Sequence, residues 1–272
     1  MTRILAIGDI MGKAGRRALD VLLPRLRDEY SPDVVLANAE NAAGGFGLTK
    51  KIYDQLTSKY QVDALTMGNH WHDKREIYDF RDAAERMVLP ANMGNVESIN
   101  YGFKVVRSHS GIEFAVLNVI GKAFMHPENR SPFEAIDQML DRIPRHIRVR
   151  IVDIHAEATS EKQGMGRYLD GKVSLVYGTH SHVPTADERI LKNGTGFTTD
   201  IGMTGAYDSV IGIRTDAALK RLTTDEKQRF EPAQGDPWLC AIVVDINDET
   251  GHCSGITRIR WELNKITATS AN

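Results

Sequence analysis

Short runs of β-branched and aliphatic residues alternate with longer stretches in which apolar positions recur every three or four residues, and this alternation organises the chain. Residues 3 to 8, Arg-Ile-Leu-Ala-Ile-Gly, read as a strand ending at Asp9. Residues 14 to 29 follow with Ala18, Leu19, Leu22, Leu23 and Leu26 on one face, the spacing of an amphipathic helix, with Pro24 an expected kink inside it. The unit then recurs. Strand 33 to 37 leads through a glycine-rich loop (Gly44, Gly45, Gly47) to a helix over 49 to 59. Strand 63 to 67 leads through Gly68-Asn69-His70 to a helix over about 74 to 86. Successive β-then-α units predict parallel strands with right-handed crossovers and helices on both faces.

Farther along, 102 to 107 and 112 to 119 read as paired strands around Ser110-Gly111, followed by a helix over 132 to 142 and a strand over 149 to 154 ending at His155. A helix over 160 to 169 precedes strand 173 to 177 and Thr179-His180-Ser181-His182. Asn193-Gly194, between 187 to 191 and 196 to 199, is a hairpin signal, and strands over 238 to 246 and 255 to 262 close the chain. The late segments lack intervening helices, so a second, mostly antiparallel sheet is expected. The result is an α/β fold of two packed β-sheets flanked by helices. Residues 1–272 are read as one domain, with 223 to 237 its most loop-like segment and Thr267 to Asn272 a frayed tail.

Composition adds exclusions. Of 272 residues, 42% are hydrophobic and 26% charged, enough to bury a sizeable core, which excludes disordered and fibrous classes. Lys and Arg total 34 against 36 Asp and Glu, so no long-range field draws a polyanion and a stable nucleic-acid complex is not expected. No apolar run approaches the roughly 20 residues of a membrane span, and the first residues turn polar too soon for a secretory signal, so a cytoplasmic protein is expected. Cys240 and Cys253 sit in neither a redox nor a zinc spacing and read as reduced, buried thiols. The oligomeric state stays open, a homo-oligomer included.

Asp9, Glu40, Asn69, His155 and His180 each stand just beyond a short apolar run. In open α/β sheets ligands bind beyond the carboxyl ends of the strands. Each residue has an ordinary reading: Asp9 as a helix cap, Glu40 and Asn41 as turn formers, Asn69 and His70 as a tight turn, His155 as a core histidine. His180 and His182 share one face if their segment is extended. The recurrence outweighs these separate readings. Carboxylate, amide and imidazole donors without a thiolate suit iron, manganese or zinc, and the size of the set suggests two ions bridged by one carboxylate.

On these residues the chain resembles the bacterial YmdB-like branch of the calcineurin-type metallophosphoesterases over nearly its whole length. The blocks are Ile7-Gly8-Asp9, Asn38-Ala39-Glu40-Asn41-Ala42-Ala43-Gly44, Met67-Gly68-Asn69-His70, Asp153 to Lys162, Gly178 to Asp187 and Thr199 to Gly205. The wider superfamily has Asp-x-His first and a bridging Asp second; here Ile10 and Met11 follow Asp9, and Glu40 holds the second position. The resemblance implies a four-layer α/β/β/α sandwich. It also implies Asp9, Glu40, Asn41 and His182 around one ion and Glu40, Asn69, His155 and His180 around the other, with Asn41 in place of the missing histidine. Two divalent or trivalent ions are expected, iron (Fe2+/Fe3+) before Mn2+ or Zn2+. Such a pair lowers the pKa of a bridging water and holds phosphoryl oxygens for in-line attack, and His70 is implied as the general acid.

The implied activity is hydrolysis of a small phosphodiester, a 2′,3′- or 3′,5′-cyclic nucleotide. The alternatives are a phosphomonoesterase or nucleotidase, and a nucleotide-sensing regulator with little turnover. His72 is a competing acid read as a surface or supporting residue, while His109, His126, His146 and His252 read as ordinary exposed or capping histidines. The basic run Arg142, Arg145, His146, Arg148 and Arg150 reads as a solvated helix end. Gly44, Gly45 and Gly47 could cradle phosphate, and Gly202, Met203, Thr204, Gly205 and Asp208 could shape a pocket.

Overall fold

The fold is that of a computed structural model, which describes residues 1–94, 101–224 and 226–269. The first half runs β1 (Thr2–Ile7), β2 (Asp9–Ile10), α1 (Gly12–Tyr30), β3 (Val34–Asn38), α2 (Lys50–Asp54), β4 (Ala64–Thr66), α3 (Ile77–Phe80), β5 (Met87–Val88), β6 (Phe103–Arg107), β7 (Glu113–Ile120) and α4 (Pro132–Leu140). The second half runs β8 (Arg150–His155), α5 (Thr159–Tyr168), β9 (Leu175–Thr179), β10 (Arg189–Ile190), β11 (Gly196–Thr198), β12 (Met203–Ala206), α6 (Thr215–Thr223), β13 (Pro237–Ile246), β14 (Cys253–Glu262) and α7 (Leu263–Thr269).

Two sheets result among the described residues. One has the order β2-β12-β13-β1-β3-β4-β5, with β14 pairing β13; the other has the order β10-β11-β9-β8-β7-β6. Period-two alternation sorts the side chains into layers. Leu5, Ile7, Val35, Ala37, Ala241 and Val243 face one way, packing with Leu19, Leu22, Leu23 and Leu26 of α1. Their neighbours Ile4, Ala6, Val34, Leu36, Ile242 and Val244 face the other way and meet Phe114, Val116, Ile151, Leu175 and Tyr177 of the second sheet. Leu117, Val119, Val152, Ile154 and Val176 form the far face of that sheet, covered by Ile136 and Met139 of α4 and Met165 of α5. The arrangement is therefore helix, sheet, sheet, helix, and strands buried on both faces explain the continuous apolar runs.

The expected antiparallel second sheet is corrected in two respects. Its β7, β8, β9 and β11 are mutually parallel, and only the edge strands β6 and β10 run against their neighbours. The late pair β13 and β14 joins the first sheet, antiparallel, with β13 beside β1. The lack of a helix between consecutive strands fixes their mutual direction, not the sheet they join. The predicted helix over 74 to 86 shortens to α3 and a 3₁₀ turn, Arg81–Ala83. Helix α1 continues through Pro24 without interruption. Helix α6 is not among the predicted elements; it buries only Ala218 and leaves Leu219 and Leu222 exposed. Helix α7 takes in the start of the expected tail, and residues 270–272 lie outside the described residues. Both cysteines are free and buried, as expected.

Candidate metal centre

Asp9 follows β1, Glu40 follows β3, Asn69 follows β4, His155 is the last residue of β8, and His180 follows β9, so every one leaves the carboxyl end of a strand. The structure brings them together. One donor set is Glu40, His155 and His180 and a second is Asp9, Glu40 and His182; within each set the donor atoms lie within 4.8 Å of one another, and Glu40 belongs to both. The amides join the same clusters. Asn69 Oδ1 lies 3.1 Å from His155 Nε2, and Asn41 Oδ1 lies 3.2 Å from His182 Nε2. His155 Nε2 also faces Glu40 Oε1 at 3.2 Å and His180 Nδ1 at 3.1 Å.

Each imidazole is oriented by a bond from its other nitrogen. His155 Nδ1 bonds Thr179 Oγ1 at 2.9 Å, His182 Nδ1 donates to the Ile211 carbonyl at 2.7 Å, and His180 Nε2 meets Glu157 Oε2 at 3.1 Å. Such outer bonds fix which ring nitrogen turns inward. Asn41 Nδ2 donates to the Gly45 carbonyl at 2.9 Å, which aims its Oδ1 at the site. Gly44, Gly45 and Gly47 all have positive φ (71°, 92° and 74°), so the glycine loop serves the turn that holds Asn41. Gly202 accepts from Asp9 N at 3.1 Å, and Met203 and Thr204 pair with Asp9 and Ile10. That segment therefore supports the Asp9 backbone.

One local expectation is corrected, and one ordinary reading already set aside is excluded. His180 and His182 are not on one face of an extended segment: their φ angles are 94° and 64°, in the left-handed region, and the two rings enter different donor sets. Non-glycine residues held there signal a conformation the surroundings enforce. Asp9 does not cap α1, whose N-cap is Met11 without a side-chain bond.

His70 stands beside the donors. Its backbone N donates to Glu40 Oε2 at 3.0 Å, its Nδ1 bonds Asp73 Oδ2 at 2.8 Å, and its ring packs edge-on to Phe46 at 4.9 Å. His72 is half exposed, 3.9 Å from Asp73.

The electrostatics fit a cationic occupant. Burial pushes Asp9 up to about 7, against the pull of His182 and His155. Burial would also raise Glu40, but the His155 charge and its hydrogen bond outweigh it and bring Glu40 down to about 2. Burial opposes the charged form of His155, yet Glu40 above all, then Asp9, lifts it to about 9. His180 is pushed down to about 3, first by burial and then by the neighbouring His155. A proton on His155 between two carboxylates thus supplies charge that a bound cation would take over. Asp9 Oδ1 is buried with no hydrogen-bond partner among the described residues. A Cβ on Gly68 would lie 2.2 Å from His155 Nε2 and 2.3 Å from Glu40 Oε2, so the absence of a side chain there keeps the donor space open.

Asp153, Thr179, Glu157 and Asp73 were not singled out as supporting residues from sequence. A signal existed for Asp153, which precedes His155 by two on one strand and so shares its face.

The family model for YmdB-like proteins matches residues 5–259. A 2′,3′-cyclic-nucleotide 2′-phosphodiesterase of Bacillus subtilis (strain 168) is 43% identical over 257 residues, spanning 94% of this chain and 96% of the relative. A hypothetical protein from Thermus thermophilus has a crystal structure that superposes with a TM-score of 0.86 at 39% identity, covering 96% of this chain and 99% of that one. The crystal structure of a novel phosphatase from Mycoplasma pneumoniae gives a TM-score of 0.87 at 30% identity, covering 96% and 93%. With agreement running from residue 5 to residue 259, the chain belongs to the YmdB-like family.

Proposed function

We propose that the chain is a metal-dependent phosphodiesterase that opens small cyclic phosphodiesters, with 2′,3′-cyclic nucleotides as the substrate class. The observation that carries this reading is that Glu40 is common to both donor sets, the arrangement expected of a carboxylate shared by two cations. Asp9, Glu40, Asn41 and His182 would hold one ion, and Glu40, Asn69, His155 and His180 the other. Oxygen and imidazole donors without thiolate suit iron first, then Mn2+ or Zn2+. When bound, the ions supply Lewis acidity toward the phosphoryl oxygens and a hydroxide near neutral pH.

The protein's own groups do the rest. His70 protonates the leaving oxygen: Asp73 holds its Nδ1, which leaves Nε2 as the ring nitrogen to carry the transferred proton. Phe46 limits rotation of the ring. Ala39, Ala42 and Met67, close in the chain to Glu40, Asn41 and Asn69, are fully buried in the core and anchor the segments that carry these donors. Residues 1–272 act as one unit in this reading, because the donors come from both sheets and the first sheet is completed only by β13 and β14.

His70→Ala should retain two ions per chain while kcat falls by roughly 10²- to 10⁴-fold. His155→Ala and Asp9→Ala should lose metal as well as activity. Metal analysis of anaerobically purified protein, with 2′,3′-cyclic nucleotide hydrolysis on the same sample, decides. Wild-type turnover by His70→Ala would remove His70 from the acid role. The Mycoplasma pneumoniae relative is described as a phosphatase, which gives the monoesterase reading a footing. Faster hydrolysis of a nucleoside monophosphate than of the cyclic diester would establish it.

A further inference from the structure

Beside the donor cluster, the segments after β4, β5 and β7 wall a cavity of about 1050 Å³ whose lining includes Trp71, Tyr78, Arg81, Tyr101, His126 and Asn129. Its place is fixed by ties to the site. Trp71 lies two residues beyond Asn69, so their Cα atoms are at most about 7 Å apart. From the other side, Asn129 Nδ2 donates to the Gly121 carbonyl at 3.0 Å, and Gly121 N donates to the His155 carbonyl at 2.9 Å. The cavity and the donors therefore share the loops of one sheet edge.

The chemistry of the wall is specific. The Arg81 guanidinium carbon lies 5.9 Å from the Trp71 ring centroid, 5.0 Å from that of Tyr78 and 5.3 Å from that of Tyr101. The Trp71 and Tyr78 rings are 5.5 Å apart. Amid these rings the guanidinium makes no hydrogen bond among the described residues: Nε is buried without a partner, and the Asp82 carboxylate stands 3.6 Å away, engaged at 2.8 Å by the Tyr101 hydroxyl. A planar donor fork left unsaturated beside aromatic faces suits a flat π-system with acceptors on its edge. A hydrocarbon chain would leave the donors unpaired, and a bare phosphate would leave the rings unused.

We propose that this cavity seats the nucleobase of the substrate, with the base stacked on the rings and Arg81 donating to its edge, and that it takes purines in preference to pyrimidines. Guanine offers a guanidinium the paired acceptors O6 and N7 and adenine offers N7, while a single ring covers less of the Trp71–Tyr78 surface than either two-ring base. The proposal rests on the phosphodiesterase reading, and the two fail separately.

The test compares kcat/KM for 2′,3′-cyclic GMP and AMP, for 2′,3′-cyclic UMP and CMP, and for glycerol 1,2-cyclic phosphate, which has the five-membered diester but no base. The purine substrates should lead. Tyr78→Ala and Arg81→Gln should each raise KM for the purine substrates about tenfold, the scale of a lost base-stacking contact, and draw their advantage toward one. Tyr78 is 48% exposed, so its truncation probes the ring without opening the core. A second readout needs no turnover: 3′-GMP should quench tryptophan fluorescence saturably, and Trp71→Phe should abolish the quench while keeping the purine preference.

Turnover of none of the diesters defeats the phosphodiesterase reading and leaves the fluorescence titration to decide the cavity. Turnover without base preference, a preference that survives both Tyr78→Ala and Arg81→Gln, or a quench unchanged in Trp71→Phe overturns the cavity assignment.

Discussion

Thr179 has one hydroxyl proton and donates it to Asp153 Oδ1 at 2.7 Å, so its oxygen accepts from His155 Nδ1 at 2.9 Å. That sequence of bonds places the proton of a neutral His155 on Nδ1 and turns the Nε2 lone pair toward Glu40, Asn69 and His180. Asp153 is fully buried and is steadied further by the Thr66 hydroxyl and by Asn38 Nδ2 at 3.2 Å. Thr179→Val keeps the shape of the side chain and removes both of its bonds. Metal affinity should fall by about 10- to 100-fold, the usual effect of losing an outer partner of a metal-binding imidazole. A chelator titration with an unchanged far-UV spectrum would read it, and wild-type affinity would show that His155 needs no such support. At this scale the sequence exposed the inward donors, because each follows an apolar strand, whereas Asp153 is marked only by its spacing from His155 and is not among the residues read as part of the site. Thr179, Glu157 and Ile211 carry no such mark: a threonine in a strand, a glutamate in a loop and a backbone carbonyl gain meaning only when the chain folds them against an imidazole.

Helix α5 acts on the site through one buried cation. Lys162 and Asp200 are almost fully buried, with Nζ and Oδ2 2.6 Å apart. Asp200 also accepts from Ser181 N at 3.2 Å, from Ser181 Oγ at 2.8 Å and, through Oδ1, from Gly202 N at 2.8 Å. The pair thus ties α5 to the turn that carries His180 and His182 and to the strand end that supports Asp9. Removing one partner of a buried pair typically costs about 3–5 kcal/mol, since the remaining charge is left uncompensated. Lys162→Met should lower the urea midpoint accordingly and weaken metal binding through the slackened turn. A midpoint equal to wild type would mean that water compensates Asp200. The elements themselves were largely legible, since strand and helix periods differ and burial on both faces leaves unbroken apolar runs in β1, β3 and β8. What local pattern could not assign was membership: β13 pairs with β1, whose residues lie more than 230 positions earlier in the chain. Such pairing is decided by which open sheet edge an already folded layer presents.

Across the whole molecule the donors bridge the two sheets, with Asp9, Glu40, Asn41 and Asn69 following strands of one and His155, His180 and His182 belonging to or following strands of the other. Cations held there would link the layers, and binding only to the folded state stabilises by about 4 kcal/mol when free metal is a thousandfold above Kd. Without metal the sign reverses for Asp9. Its folded pKa of about 7 lies above the ordinary 3.8, so its contribution to stability is present below pH 3.8 and is lost as pH rises through 7. Above that pH the buried carboxylate, one oxygen of which has no hydrogen-bond partner, is ionised at a cost on the order of 4 kcal/mol. Asp9→Asn should therefore melt at a higher temperature than wild type when both are metal-free at pH 8, and should gain less than wild type on adding metal. The two proteins should converge as the pH of the metal-free samples falls below 3.8, where Asp9 is largely neutral in either state of the fold. A metal-free Asp9→Asn that melts below wild type at pH 8 would show that the carboxylate is compensated within the chain, and that the donor cluster is not held under electrostatic strain for an ion.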